Sequence, residues 1–129
     1  MDVEIRDHRF TQIVDRDVPL ARVATGFQFT EGPVWHPHEG FLIFSDILGD
    51  CLYRWHPHDG VSPLRQPSHM ANGNTYDRRG RLLTCEHATS RVTRTGHDGN
   101  LTVIASHWDD KELNSPNDIV VKRDGGIYF

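Results

Sequence analysis

Hydrophobic positions along the chain fall in short runs, separated by clusters of Gly, Pro, Asp and Asn. Val34-Trp35, Phe41 to Phe44, Cys51 to Trp55, Arg81 to Cys85, Arg91 to Arg94, Leu101 to Ile104 and Ile119 to Val121 each read as a strand bounded by turn residues. Leu20 to Phe27 reads as one more strand ahead of them. No window holds a 3.6-residue period over three turns, so the chain is expected to be all-β. The only helical piece anticipated is a single turn near Trp108 to Leu113.

The strands recur in units. Glu31-Gly32-Pro33-Val34-Trp35 leads through a polar turn at Gly40 into Phe41-Leu42-Ile43-Phe44. Asn72-Gly73-Asn74-Thr75-Tyr76 leads through Gly80 into Arg81-Leu82-Leu83-Thr84, and Pro116-Asn117-Asp118-Ile119-Val120-Val121 leads through Gly125 into Ile127-Tyr128-Phe129. Gly40, Gly80 and Gly125 are 40 and 45 residues apart, and His58-Asp59-Gly60 recurs as His97-Asp98-Gly99 at an offset of 39. A period of about 40–50 residues with four short strands per unit is the signature of propeller blades. Each blade leaves two apolar faces that only neighbouring blades can cover. The first residues of each inner strand converge on the central axis, which makes Glu31, Asn72 and Asn117 equivalent positions. A propeller needs at least four blades to close. Two whole units and the start of a third therefore read as part of a longer propeller, residues 1–19 being a lead-in and residues 20–129 the partial propeller domain. The exposed blade face and strand edge of such a piece favour self-association.

Composition narrows the class without changing the fold. Of 129 residues, 36% are hydrophobic and 25% charged, with a net charge of −4. Lys and Arg form no run, so nothing in the sequence asks for a nucleic-acid partner. No apolar stretch is long enough to span a bilayer and Asp2-Val3-Glu4 does not open a secretory signal, so the expected location is the cytoplasm, with Cys51 and Cys85 as reduced thiols.

Three ordered stretches carry a resemblance. Phe29-Thr30-Glu31-Gly32-Pro33-Val34-Trp35, Asn72 to Asp77 followed by Gly80 to His87, and Asn114 to Val121 followed by Asp124-Gly125 are similar to the first three blades of the gluconolactonase, regucalcin (senescence marker protein) and luciferin-regenerating enzyme family, bacterial gluconolactonases in particular. The likeness runs from about Ala21 to Phe129. It implies a six-bladed β-propeller more than twice this length. It also implies hydrolysis of a sugar lactone such as glucono-1,5-lactone at a divalent metal, calcium first, with zinc, magnesium or manganese as alternatives. Glu31 and Asn117 would be metal ligands, and Asn72 and His87 would contact substrate. The family's further ligand, an aspartate also proposed as the base, would come from a later blade, so this chain by itself is expected to be inactive.

Each of these residues also has a plainer reading. Glu31 is a carboxylate before a Gly-Pro turn, Asn117 an Asn bonded to its own backbone, Asn72 half of an Asn-Gly turn and His87 a loop histidine. Cys85-Glu86-His87 resembles a nucleophile with its base, but adjacent strand residues face opposite sides, which separates Cys85 from Glu86. His36-Pro37-His38 and His56-Pro57-His58 look like metal boxes, yet Pro followed by Glu-Gly or Asp-Gly makes them turns. Trp35, Tyr53 and Trp55 are expected to pack between blades. Two other functions share the pattern: a non-catalytic propeller scaffold and a calcium-binding regulatory protein.

Overall fold

The computed structural model describes residues 3–15, 17–36 and 38–129. Two four-stranded antiparallel sheets dominate it. Blade one is β1 (Thr30–Trp35), β2 (Leu42–Asp46), β3 (Cys51–His56) and β4 (Gly60–Arg65), paired in chain order. Blade two repeats the meander with β5 (Ala71–Tyr76), β6 (Leu82–Glu86), β7 (Arg91–Thr95) and β8 (Leu101–Ala105). A small hairpin of β9 (His107–Trp108) and β10 (Lys111–Glu112) follows, then a second of β11 (Val120–Val121) and β12 (Ile127–Tyr128), which opens a third blade. First strands pack on first strands, β1 on β5 and β5 on β11, so the blades fan out from that line. The arrangement is a partial β-propeller. Among the described residues no helix is long and apolar enough to cross a membrane.

Pleating decides which interface each side chain joins. Leu82 on β6 packs with Ile43, Leu52 and Ala71 between blades one and two. Its neighbours Leu83 and Cys85 pack with Val92 and Ile119, towards the third blade. Period-two alternation thus feeds two interfaces from one strand, which is why β6 is buried along its whole length. Trp35, Tyr53 and Trp55 join neither cluster. Trp35 is half exposed, and Tyr53 stacks on Phe44 and tilts against Phe27, on the face away from blade two. Between blades one and two the packing comes from Ile43, Leu52, Ala71 and Leu82, with Val34, Phe41 and Tyr76 beside them.

Two expectations fail. Trp108 to Leu113 is not a helical turn but the β9–β10 hairpin, in which Trp108 pairs with Lys111. Asp109 and Asp110 between them have φ of 50° and 60°, the left-handed pair of a tight two-residue hairpin, and Asp tolerates that region better than most residues. Leu20 to Phe27 is not a strand, having no hydrogen-bonded partner strand among the described residues. It is tethered at its end, where Phe27 meets Phe44 edge-on and the Asp46 carboxylate accepts from the backbone N–H groups of Gln28 and Phe29. Upstream lies one 3-10 turn, His8–Gln12, capped by the Asp7 side chain. The His-rich stretches do form turns: His36 Nδ1 accepts from Glu39 N–H and His56 Nδ1 from His58 N–H. Pro37, in the first of them, lies outside the described residues.

Candidate functional site

Register shows how the inner strands align. Trp35 pairs with Leu42, Tyr76 with Leu82 and Val121 with Ile127 at the far end of β1, β5 and β11. Counting back four residues from each gives Glu31, Asn72 and Asn117, so the three occupy one structural position in successive blades. β1 and β5 carry the same bulge, between Glu31 and Val34 and between Ala71 and Asn74. A bulge re-aims the side chains next to it, and here it sits beside the candidate residues both times.

Glu31, Asn72 and Asn117 line one small open pocket of about 210 Å³, together with Asn74, Asp118, Gly32 and Gly73. Gly32 and Gly73 make the convergence possible. A Cβ on Gly32 would lie 2.0 Å from the Asn72 carbonyl oxygen, and one on Gly73 would lie 2.6 Å from that of Asn117. Gly73 N–H also donates to the Asn117 carbonyl at 2.8 Å. Each first strand is therefore set against the next by close backbone approach.

Behind the pocket is a polar joint. The Asn74 amide donates to the Gly32 carbonyl, to Ser45 Oγ and to the Asn72 carbonyl, all within 2.9 Å, while its Oδ1 accepts from Thr84 Oγ1. Ser45 Oγ donates to the Asn72 carbonyl as well. With its backbone fixed this firmly, Asn72 is 4% exposed, yet its side-chain Oδ1 has no hydrogen-bond partner. A buried carbonyl oxygen without a donor is costly, about 1–3 kcal/mol. Glu31 and Asp118 bring two carboxylates to the same pocket, and no Lys, Arg or His lines it. Oxygen donors, two negative charges and an orphaned amide oxygen form a donor set that suits a hard divalent cation. No group of three or more His, Cys, Asp or Glu among the described residues is arranged to hold an ion unaided.

Residues 29–129 match the model of the SMP-30/gluconolactonase/LRE-like family. The chain belongs to this family. A curated gluconolactonase from Zymomonas mobilis is 28% identical over 135 aligned positions, covering 94% of this chain and 38% of its own length. A gluconolactonase structure from Xanthomonas campestris aligns with a TM-score of 0.74 at 36% identity, over 78% of this chain and 34% of that one. Virginiamycin B lyase from Staphylococcus aureus superposes with a TM-score of 0.62 at 16% identity, over 78% of this chain and 33% of that one, a likeness of fold alone. The chain spans little more than a third of the length of these relatives.

Other residues of this family member separate from the pocket. His87 follows β6 at the same end of the blade but is absent from the pocket lining. Its N–H donates to the Met70 carbonyl and its carbonyl accepts from Ser115 Oγ. Asp118 and Asn74, which do line the pocket, were missed by sequence reasoning; their place next to Asn117 and two residues beyond Asn72 was the available signal. Cys85 and Glu86 face opposite interfaces, as pleating requires. Burial pushes the Cys85 thiol up to about 12, with a smaller contribution from Asp118 nearby. At neutral pH it is a thiol, not a thiolate. A water-soluble disulfide reagent is expected to leave Cys85 unlabelled in the native chain and to label it on unfolding; labelling within seconds under native conditions would contradict the buried placement.

Proposed function

We propose that this chain carries part of the active site of a divalent-metal-dependent sugar lactonase, which opens a glucono-1,5-lactone-type ring to the aldonic acid. The reading rests on family membership and on one observation above others: Asn72 Oδ1, buried and partnerless, shares a pocket with Glu31 and Asn117. Glu31 supplies anionic charge and Asn117 a neutral amide oxygen; Asn72, which the family resemblance places against substrate, turns its unpartnered amide oxygen into the same pocket and would be a further oxygen donor to the ion. Calcium is the first choice of ion for such donors, with zinc, magnesium and manganese as alternatives. When bound, the cation polarises the lactone carbonyl and makes an attacking water more acidic.

This chain's own residues position rather than react. The Ser45–Asn74–Thr84 joint holds the Asn72 backbone so that its amide oxygen needs no reorganisation to meet a cation. Gly73 N–H fixes the Asn117 backbone in the same way. The sugar hydroxyls would meet the mouth of the pocket. The base would be the aspartate that the family resemblance places in a later blade, so turnover by this chain alone is expected to be near zero.

Calcium titration followed by thermal shift tests the reading. The wild-type chain should gain a few degrees, and Glu31→Ala and Asn72→Leu should each abolish the gain. Asn72→Leu should in addition not destabilise the metal-free chain by more than about 1 kcal/mol, because it removes an unsatisfied oxygen. Equal responses of wild type and Glu31→Ala would remove Glu31 from the site. Chelator-sensitive gluconolactone turnover by this chain would overturn the expectation of inactivity.

A further inference from the structure

Arg78, Arg79, Arg81, Arg94 and Arg123 are scattered in the sequence, yet the fold gathers them. Arg78 and Arg79 sit in the β5–β6 turn, Arg81 at the approach to β6, Arg94 on β7 and Arg123 in the β11–β12 turn. All five line a single groove of about 560 Å³ between blade two and the third-blade hairpin. The groove lies at the end of β5 opposite Asn72, roughly 15 Å along the strand at about 3.3 Å per residue.

Charge in this groove does not balance. Its two carboxylates are already engaged, Asp77 with Arg81 at 2.7 Å and Asp124 with Lys122 at 2.8 Å. Arg78 donates to the Arg123 carbonyl, a bond that neutralises no charge. Among the described residues Arg78, Arg79, Arg94 and Arg123 form no ion pair. Five arginines against two aspartates leave the lining at +3, in a chain whose net charge is −4. Like charges gathered without counter-ions repel, and a folded state that gathers them is relieved by an anion.

We propose that this groove binds a small phosphate-bearing anion. Guanidinium forks match phosphate oxygens in pairs, which a flexible ammonium does not. Leu83, Val121 and Ile127 give the groove an apolar floor. Such a floor strengthens the electrostatics above it and accepts the organic part of a phosphorylated small molecule. The volume is that of a small-molecule pocket. A long polyanion would have to lie across an otherwise acidic surface, so a nucleic acid is the poorer occupant.

Pyrophosphate is the probe, titrated calorimetrically into the intact chain at constant ionic strength. Saturable binding is expected, weakened at least about tenfold by the double variant Arg94→Gln/Arg123→Gln, which removes two of the guanidinium forks that would hold the anion. Arg79→Gln, on an exposed turn where folding is not at stake, should weaken it about threefold. Arg22→Gln makes the same charge change in the exposed amino-terminal segment and should leave binding unchanged. The proposal is overturned by heats that sodium chloride reproduces, or by an Arg22→Gln effect equal to that of Arg79→Gln. It is equally overturned if a single-stranded oligonucleotide binds more tightly than pyrophosphate and loses that binding in the double variant.

Discussion

Gly32→Ala is expected to lower the melting temperature by roughly 15 °C and to abolish any stabilisation by calcium. Gly32 has φ of +54°, where an L-residue is strained, and its new Cβ would lie 2.0 Å from the Asn72 carbonyl oxygen. The left-handed backbone costs about 1–2 kcal/mol, and forcing the strands apart about 1–3 more. Each kcal/mol shifts the melting point of a domain this size by about 3–6 °C. Gly60→Ala is the control. Gly60 is also left-handed, at +72°, but nothing lies within 4 Å of the added carbon, so only the backbone part should appear. Scanning calorimetry of the two variants separates strain from contact. Equal losses would mean that close approach of β1 to β5 does not hold the blades together.

Glu86→Ala is expected to destabilise the chain by about 3–5 kcal/mol, as removal of one partner from a buried ion network does. Glu86 is fully buried. It accepts from Arg91 Nε at 2.7 Å, Thr89 Oγ1 at 2.8 Å and Thr93 Oγ1 at 3.0 Å, and Arg65 of blade one approaches at 3.3 Å. Its loss would strand two guanidiniums, one of which already has Nε and Nη1 without partners. Burial pushes the Glu86 carboxyl up, but the bonds from Thr89, Arg91 and Thr93 and the charge of Arg65 outweigh it and hold the carboxyl below the ordinary glutamate range. A carboxyl with a depressed folded pKa contributes stability that is complete above its unfolded value, about 4.3. That contribution disappears as the pH falls through the folded pKa. Urea midpoints should therefore fall below pH 4 in the wild type, and Glu86→Gln should flatten that dependence. An unchanged acid slope in Glu86→Gln would assign the acid sensitivity to other carboxylates, such as Asp46.

Period-two alternation and the glycines at 40, 80 and 125 were enough to read the strands of both blades, except β4 at Gly60–Arg65, and the equivalence of Glu31, Asn72 and Asn117. These are local signals, carried within one strand and its turn. Trp108 to Leu113 misled because nothing local marks Asp109-Asp110 as a left-handed pair. Leu20 to Phe27 has the apolar residues of a strand, but a strand also needs a partner edge, which no single segment reveals. The arginine groove was invisible for the same reason: Arg78 and Arg123 are 45 residues apart and meet only after the third hairpin docks. Glu86 was legible as facing away from Cys85, but not its burial, since its partner Arg65 belongs to another blade. In the pocket, the residue types were readable and the orphaned oxygen of Asn72 was not, since it depends on where every neighbouring donor goes.

The spacing between Glu31, Asn72 and Asn117 is set by glycines and main-chain carbonyls, not by the side chains themselves. Those three positions behave as interchangeable fittings on a fixed rail. A lineage could trade a carboxylate for an amide, or an amide for a hydroxyl, and alter ion preference or reaction without rebuilding the blades that carry them. The glycines have no such freedom, because a single methyl group on either one shifts the rail.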